Sequence, residues 1–270
     1  MIEVKAVEKT FMTPGGDQVA ALQGVNLTIP TGQFLTVIGT NGSGKSTLLN
    51  ALAGTFLPDS GTITIDGNDV TRAPEHKRAG LIGRVFQDPY KGTCPSMTVA
   101  ENMRMAELRG QRRMLRLGLN AACRTTYHDL LKRLRMRVET RLDALIGTLS
   151  GGQRQAITLM MATIRRPSLL LLDEHTAALD PRAAEQVLMV TRDVVREYQL
   201  TTLMVTHSMQ QAASLGDRLI MMHRGRIVHD LSGAEKRRLR AEDLLARFED
   251  LRRADQLDET AAQLLERVYI

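Results

Sequence analysis

Along this chain the spacing of apolar positions switches between a period of two and a period of about 3.6, and the switches mark the elements. The first third is strand-like. Ile2, Val4 and Val7, then Val19, Leu22, Val25, Leu27 and Ile29, lie between the turn signals Pro14-Gly15-Gly16 and Pro30-Thr31-Gly32. Phe34-Leu35-Thr36-Val37-Ile38 is a short apolar run closing on Gly39, the pattern of a buried strand, and a helix is predicted from Gly44 to about Ala53. Residues 61–67, bounded by glycines, and 81–86 predict two further strands. From Thr98 to about Leu145 the spacing turns helical, with Leu115, Leu119, Leu130, Leu131 and Leu134 available for inner faces. Beyond it the reading is a helix over 150–165 stopped by Pro167, a strand at 169–172, and a helix from Pro181 to about Tyr198. Strands follow at 202–206, 218–222 and 226–228, then two short terminal helices over 241–268. Strands alternating with helices imply an α/β fold with a largely parallel sheet covered on both faces. No internal repeat or low-complexity linker interrupts the 270 residues.

Composition removes several classes. With 43% hydrophobic and 24% charged residues the chain is not disordered. Nine aromatic residues and no Trp make poor material for stacking nucleic-acid bases, so no nucleic-acid partner is expected. No apolar run approaches the length of a membrane span. Met1-Ile2-Glu3-Val4-Lys5 lacks the apolar stretch of a signal peptide, and Cys94 and Cys123 are too few and too isolated for a disulfide framework or a metal site. Two reduced thiols in a cytosolic setting are expected. The formal charge is +6, and residues 101–140, with ten basic against four acidic side chains, carry all of it.

The strongest chemical signal is Gly39-Thr40-Asn41-Gly42-Ser43-Gly44-Lys45-Ser46-Thr47, which matches G-x-x-x-x-G-K-[ST] between a predicted strand and a predicted helix. Glycines let the backbone curl so that successive N–H groups face phosphate oxygens, and the helix N-terminus adds about half a positive charge. Lys45 can reach the terminal phosphates, and the Ser46 hydroxyl can ligate Mg²⁺. A second signal is Leu169-Leu170-Leu171-Leu172-Asp173-Glu174, an apolar strand with two carboxylates where open α/β sheets bind ligands. Asp173 can hold Mg²⁺ through a water, and Glu174 can orient or deprotonate an attacking water. To this point the residues describe a P-loop nucleotide hydrolase.

Leu149-Ser150-Gly151-Gly152-Gln153-Arg154-Gln155 places a Ser and two glycines at a helix start, a second anion-binding end in the same chain. Two such ends call for two nucleotides or a partner chain. The stretch resembles the signature of ATP-binding-cassette (ABC) ATPases, and the resemblance covers nearly the whole chain. It implies a RecA-like core with a mostly parallel sheet, an N-terminal antiparallel β subdomain and an inserted helical subdomain. The corresponding division is a core over 1–95 and 146–240, a helical insert over 96–145 and terminal helices over 241–270, all in one domain. Gln87, in Phe86-Gln87-Asp88-Pro89, looks like the family's loop glutamine that reaches Mg²⁺ and the attacking water and couples to the membrane partner. Asp180, in Ala177-Ala178-Leu179-Asp180, resembles the loop that crosses the dimer interface. His207 resembles the switch histidine that contacts the γ-phosphate, and Phe11 sits where the family stacks an aromatic on adenine. His175 stands where the family usually has Pro, so a looser loop after Glu174 and a third functional histidine both stay open.

The resemblance further implies a head-to-tail homodimer. Each ATP then lies between Lys45 of one copy and Ser150, Gly151, Gly152 and Gln153 of the other, with Mg²⁺ at Ser46, Gln87 and Asp173. Separate integral-membrane permease subunits and an extracytoplasmic binding protein are implied, with this chain peripheral at the cytoplasmic face of the membrane. Residues 95–102 and 173–180 look like those of importer ATPases paired with permeases of the branched-chain amino-acid type, a group whose substrates include aromatic amino acids. The basic segment falls in the helical insert, which faces the membrane partner in the family. It is either a surface for anionic lipid or acidic permease loops, or a solvated helical face. A soluble ATPase of the same family in iron–sulfur assembly is the alternative, and a nucleotide kinase is disfavoured by the Ser150–Gln153 stretch.

Overall fold

The alternating apolar positions at the start of the chain form β1 (Ile2–Met12) and β2 (Gln18–Ile29), followed by β3 (Phe34–Gly39) and α1 (Lys45–Ala53). Next come β4 (Ser60–Ile65), β5 (Asn68–Asp69), α2 (Glu75–Arg78) and β6 (Ile82–Val85), then α3 (Val99–Glu107) and α4 (Ala121–Lys132). The second half holds α5 (Gly151–Thr163), β7 (Leu169–Asp173), α6 (Pro181–Tyr198), β8 (Thr202–Val205), α7 (Met209–Ser214), β9 (Arg218–His223), β10 (Arg226–Ser232) and α8 (Gly233–Arg238), with a further helical stretch over 241–251. This computed structural model describes residues 1–111, 118–251 and 253. Arg112, Arg113, Leu115 and Arg116, and the expected terminal helices past 253, lie outside the described residues.

Among the described residues two sheets form. One is antiparallel with strand order β2-β1-β4-β5; the other runs β10-β9-β3-β8-β7-β6. In the second, β9, β3, β8, β7 and β6 are mutually parallel and β10 is an antiparallel edge. The expected α/β class, P-loop core, N-terminal antiparallel sheet and helical insert are all present. The period of two explains why the central strands read as continuous apolar runs. Leu35, Val37, Leu169, Leu171, Leu203 and Val205 point toward the antiparallel sheet and α1, whereas Phe34, Leu170, Leu172 and Met204 point toward α5, α6 and the helical insert. Each strand therefore feeds two cores.

The helical segment is shorter and more broken than the 98–145 reading. Thr98 starts α3 with a reciprocal capping box to Glu101, and Asn120 caps α4 by accepting from the Cys123 N–H. Arg135 and Arg137 adopt φ of 54° and 56°, left-handed values that stop the helix after Arg133. The elements β5, α2, α7 and α8 are too short to leave a periodic signal. Buried Arg78 of α2 acts structurally. Its guanidinium donates to the carbonyls of Ala51 and Leu52, both at 2.7 Å, and so closes the C-terminal end of α1.

Candidate nucleotide-binding site

The loop joining β3 to α1 starts at Gly39, the last residue of β3, and turns through Asn41 and Gly42, which are exposed. Gly44 is the N-cap of α1 at φ 97°, and a Cβ there would stand 2.4 Å from the Ala21 carbonyl oxygen of β2. The glycine thus lets the antiparallel sheet press against the loop. The β9–β10 turn holds its other side, because the Gly225 N–H donates to the Ser43 carbonyl at 3.1 Å. Lys45 is buried, and its Nζ donates to the carbonyls of Gly39 and Thr40, both at 2.9 Å. Burial pushes its ammonium below the ordinary range, while the negative charge of Glu174 opposes that shift. Ser43 Oγ is buried and has no hydrogen-bond partner among the described residues. An unpaired hydroxyl and a partly desolvated ammonium in one loop fit a phosphate group, whose oxygens satisfy both. Ser46 is exposed on the first turn of α1 and Thr47 half-buried behind it.

The acidic end of β7 lies two strands from β3, with β8 between them. Asp173 is the last residue of that strand, and its Oδ2 accepts from Arg84 Nη2 at 3.3 Å. Glu174 turns the chain sharply at φ 45°, and its N–H donates to the Val205 carbonyl at 3.0 Å. This bond carries the Glu174 carboxylate toward the end of β8, where Oε1 meets His207 Nε2 at 2.7 Å. His207 remains half exposed, so a ligand can reach it. Ser46, Asp173 and Gln87 offer hydroxyl, carboxylate and amide oxygens, a hard-oxygen set suited to Mg²⁺. Gln87 itself is exposed.

The expected second anion end is a well-formed helix start. Ser150 is the N-cap of α5 in a reciprocal box with Gln153, whose Nε2 also donates to the Met136 carbonyl at 3.2 Å. A Cβ on Gly152 would stand 2.7 Å from the Ala183 Cβ of α6, so this glycine already serves packing within the chain. Asp180 caps α6 by accepting from the Ala183 N–H at 3.0 Å. Phe11, at the end of β1, is 38% exposed and meets Phe56 edge-on at 5.2 Å, with Lys9 Nζ 5.5 Å from its ring centre. Phe11 thus keeps part of its surface exposed while packed against Phe56 and beneath Lys9.

His175 corrects the looser-loop reading. The residue is buried, and its Nε2 lies 3.1 Å from Thr191 Oγ1. The Thr191 hydroxyl already donates to the Val187 carbonyl at 2.8 Å, so it accepts from His175 Nε2–H. The loop after Glu174 is pinned to α6. Gln155 pins it from the other side: this buried amide donates at 2.7 Å to the His175 carbonyl and at 2.7 Å to the Phe86 carbonyl. One side chain near the start of α5 thus ties together the loops bearing Gln87 and Glu174. Motif and spacing single out neither Gln155 nor Arg84. Their signal in the sequence is a polar side chain inside a buried helix and a charge inside an apolar strand.

The ABC transporter family model matches residues 22–177. A tyrosine transport ATP-binding protein of Clostridioides difficile is 43% identical over 249 residues, covering 92% of this chain and 99% of the relative. The chain belongs to the ABC transporter family. As an ABC protein it is the ATP-binding, ATP-hydrolysing subunit of its transporter. A methionine import ATP-binding protein of Rhizobium johnstonii is 36% identical over 234 residues, covering 85% of this chain and 60% of the relative. Among solved structures, a dimeric ATP-binding cassette in a post-hydrolysis state with ADP and Pi is 28% identical, with a TM-score of 0.73, covering 86% of this chain and 98% of that one.

Proposed function

We propose that this ABC subunit drives import of an amino acid, with aromatic amino acids such as tyrosine the leading substrates, through separate permease subunits. Support for the substrate class is the full-length likeness to the tyrosine transport protein. The observation that carries the catalytic reading is the Glu174–His207 contact at 2.7 Å beside a phosphate loop with a buried Lys45 and a buried Ser43 hydroxyl that has no partner among the described residues. In the proposed cycle the loop N–H groups and Lys45 bind the phosphates of ATP. Glu174 accepts a proton from the water that attacks the γ-phosphorus, the bond to ADP breaks, and His207 holds the γ-phosphate oxygens and the Glu174 carboxylate in register. Ser46, Asp173 and Gln87 would hold Mg²⁺, which would supply charge neutralisation of the phosphates. Phe11 stacks on adenine. Ser150, Gly151, Gly152 and Gln153 of a second copy close over the γ-phosphate, with Asp180 at the seam between copies. Removal of the γ-phosphate by hydrolysis then releases the dimer.

A groove of about 1270 Å³ lies between the core and the helical insert, lined by Phe86, Thr93 and Cys94 near the Gln87 loop and by Met105 and Leu108 of the α3 end. It supports docking of a permease loop next to Gln87. No described helix is long and apolar enough to cross a membrane; the proposed permease is a separate chain. In this reading the subunit sits at the cytoplasmic face of the membrane, with an extracytoplasmic binding protein opposite. Reconstitution of the subunit with a permease and a binding protein that co-purify with it tests the proposal. Tyrosine-loaded binding protein is expected to stimulate ATP hydrolysis and tyrosine uptake together. Stimulation by other solutes alone rejects the substrate, and a native subunit that fractionates with no membrane partner rejects transport.

A further inference from the structure

β6 pairs in parallel with β7, with Arg84 opposite Leu171 and Val85 opposite Leu172. Ile82, two residues before Arg84 and on the same face, packs into the core with α1 and the antiparallel sheet. An aliphatic residue at 84 extends that core at no electrostatic cost, so a guanidinium only 13% exposed there calls for a reason. Its contacts supply one. Nη2 donates to Asn50 Oδ1 of α1 at 2.7 Å and to Asp173 Oδ2 at 3.3 Å; Nη1 donates to Thr55 Oγ1 at 3.3 Å. The guanidinium carbon sits 4.5 Å from the Phe86 ring centre. Arg84 Nε is buried with no partner among the described residues, so the side chain is not placed to satisfy itself. Asn50, Thr55 and Phe86 fix the fork, and the fork fixes one oxygen of Asp173.

We propose that Arg84 is a positioning residue for Asp173: it holds Oδ2 to the end of α1 and leaves Oδ1 to the divalent cation. The proposal rests on the metal-binding role of Asp173. Outer partners that orient a ligating carboxylate typically alter metal affinity about 10–100-fold when removed. The competing effect has the opposite sign, since a guanidinium near a cation repels it and its removal alone tightens metal binding.

The test is equilibrium binding of a fluorescent ATP analogue to the full chain, titrated with Mg²⁺, so that turnover plays no part. Arg84→Met is expected to raise the Mg²⁺ concentration for half-maximal tightening about tenfold while Mg-free nucleotide binding stays within about twofold. An unchanged or lowered Mg²⁺ requirement overturns the proposal. Asn50→Ala keeps the charge, removes the 2.7 Å anchor and covers the case in which the methionine variant fails to fold. It is expected to shift the requirement the same way by a smaller factor, and no shift overturns positioning. Arg84→Lys keeps the charge but cannot fork to Asn50, Thr55 and Asp173, so full rescue by lysine also overturns it. Asp173→Asn in the same titration separates the two levels. If it leaves the Mg²⁺ requirement unmoved, the metal role of Asp173 fails and the proposal falls with it; if it raises the requirement while Arg84→Met does not, only the role of Arg84 fails.

Discussion

His175 shows how much one side chain decides in the loop that presents Glu174. Burial lowers its pKa from 6.5 to about 4, so the imidazole is neutral and its Nε2–H is available to Thr191. The unfolded chain takes up the proton first, so stability from this residue is complete above pH 6.5 and lost as pH falls toward 4. The loss amounts to about 3 kcal/mol across that window. Urea unfolding of the nucleotide-free, metal-free protein at several pH values is expected to show this slope, and His175→Gln to flatten it. Ser46 belongs to the same scale. As an exposed hydroxyl at the start of α1 it contributes little to folding, so Ser46→Ala is expected to leave the melting temperature nearly unchanged. It should weaken binding of Mg-ATP more than that of Mg-free ATP in a calorimetric titration, and equal losses would remove Ser46 from the metal site. The proposed roles of Lys45, Ser46 and Asp173 were legible from motif and spacing. Those of His175, Gln155 and Arg84 were not, because each depends on a carbonyl, hydroxyl or carboxylate brought close by another element.

At the scale of elements, close approach separates helices that merely pack from helices that carry a site. Gly83 on β6 is such a point, since a Cβ there would stand 2.4 Å from the Ala162 carbonyl oxygen near the end of α5. Backbone cannot yield as a flexible side chain does, so Gly83→Ala is expected to cost about 1–3 kcal/mol in equilibrium unfolding. The shift moves α5 against β6 and thereby strains the Gln155 bonds to Phe86 and His175. The start of α3 depends on a different device. Thr98→Ala removes the side-chain acceptor of the capping box and is expected to cost about 1 kcal/mol by the same measurement. Central strands and long helices such as α6 were readable because apolar period and length reinforced each other, and Pro181 marked the start of α6. The helical insert was less readable because Arg135 and Arg137 take left-handed backbone conformations that no residue type there announces.

At the scale of the whole molecule the proposed cycle calls for a second copy, since the phosphate loop and the Ser150–Gly152 helix start lie on the same chain. Glu174→Gln is expected to bind ATP with near wild-type affinity, to elute as a dimer in ATP by size exclusion, and to show no multiple turnover. Continued turnover would remove Glu174 from the water-activating role. The +6 charge concentrated in 101–140 bears on assembly, and Arg112, Arg113 and Arg116 carry the direct test. If that segment meets anionic lipid or permease, their reversal to Glu weakens assembly of the membrane complex at low salt; unchanged assembly argues for a solvated segment. The sequence by itself determined the α/β class, the phosphate loop, the acidic strand end and the order of the motifs, because these depend on local backbone chemistry and on periodicity along one segment. Only the tertiary structure decided which groups meet. The Glu174–His207 contact, the His175–Thr191 bond, the Gln155 ties and the Arg84 fork join residues 16 to 89 positions apart. Such pairings follow from how sheets and helices stack, and local pattern carries no information about that stacking.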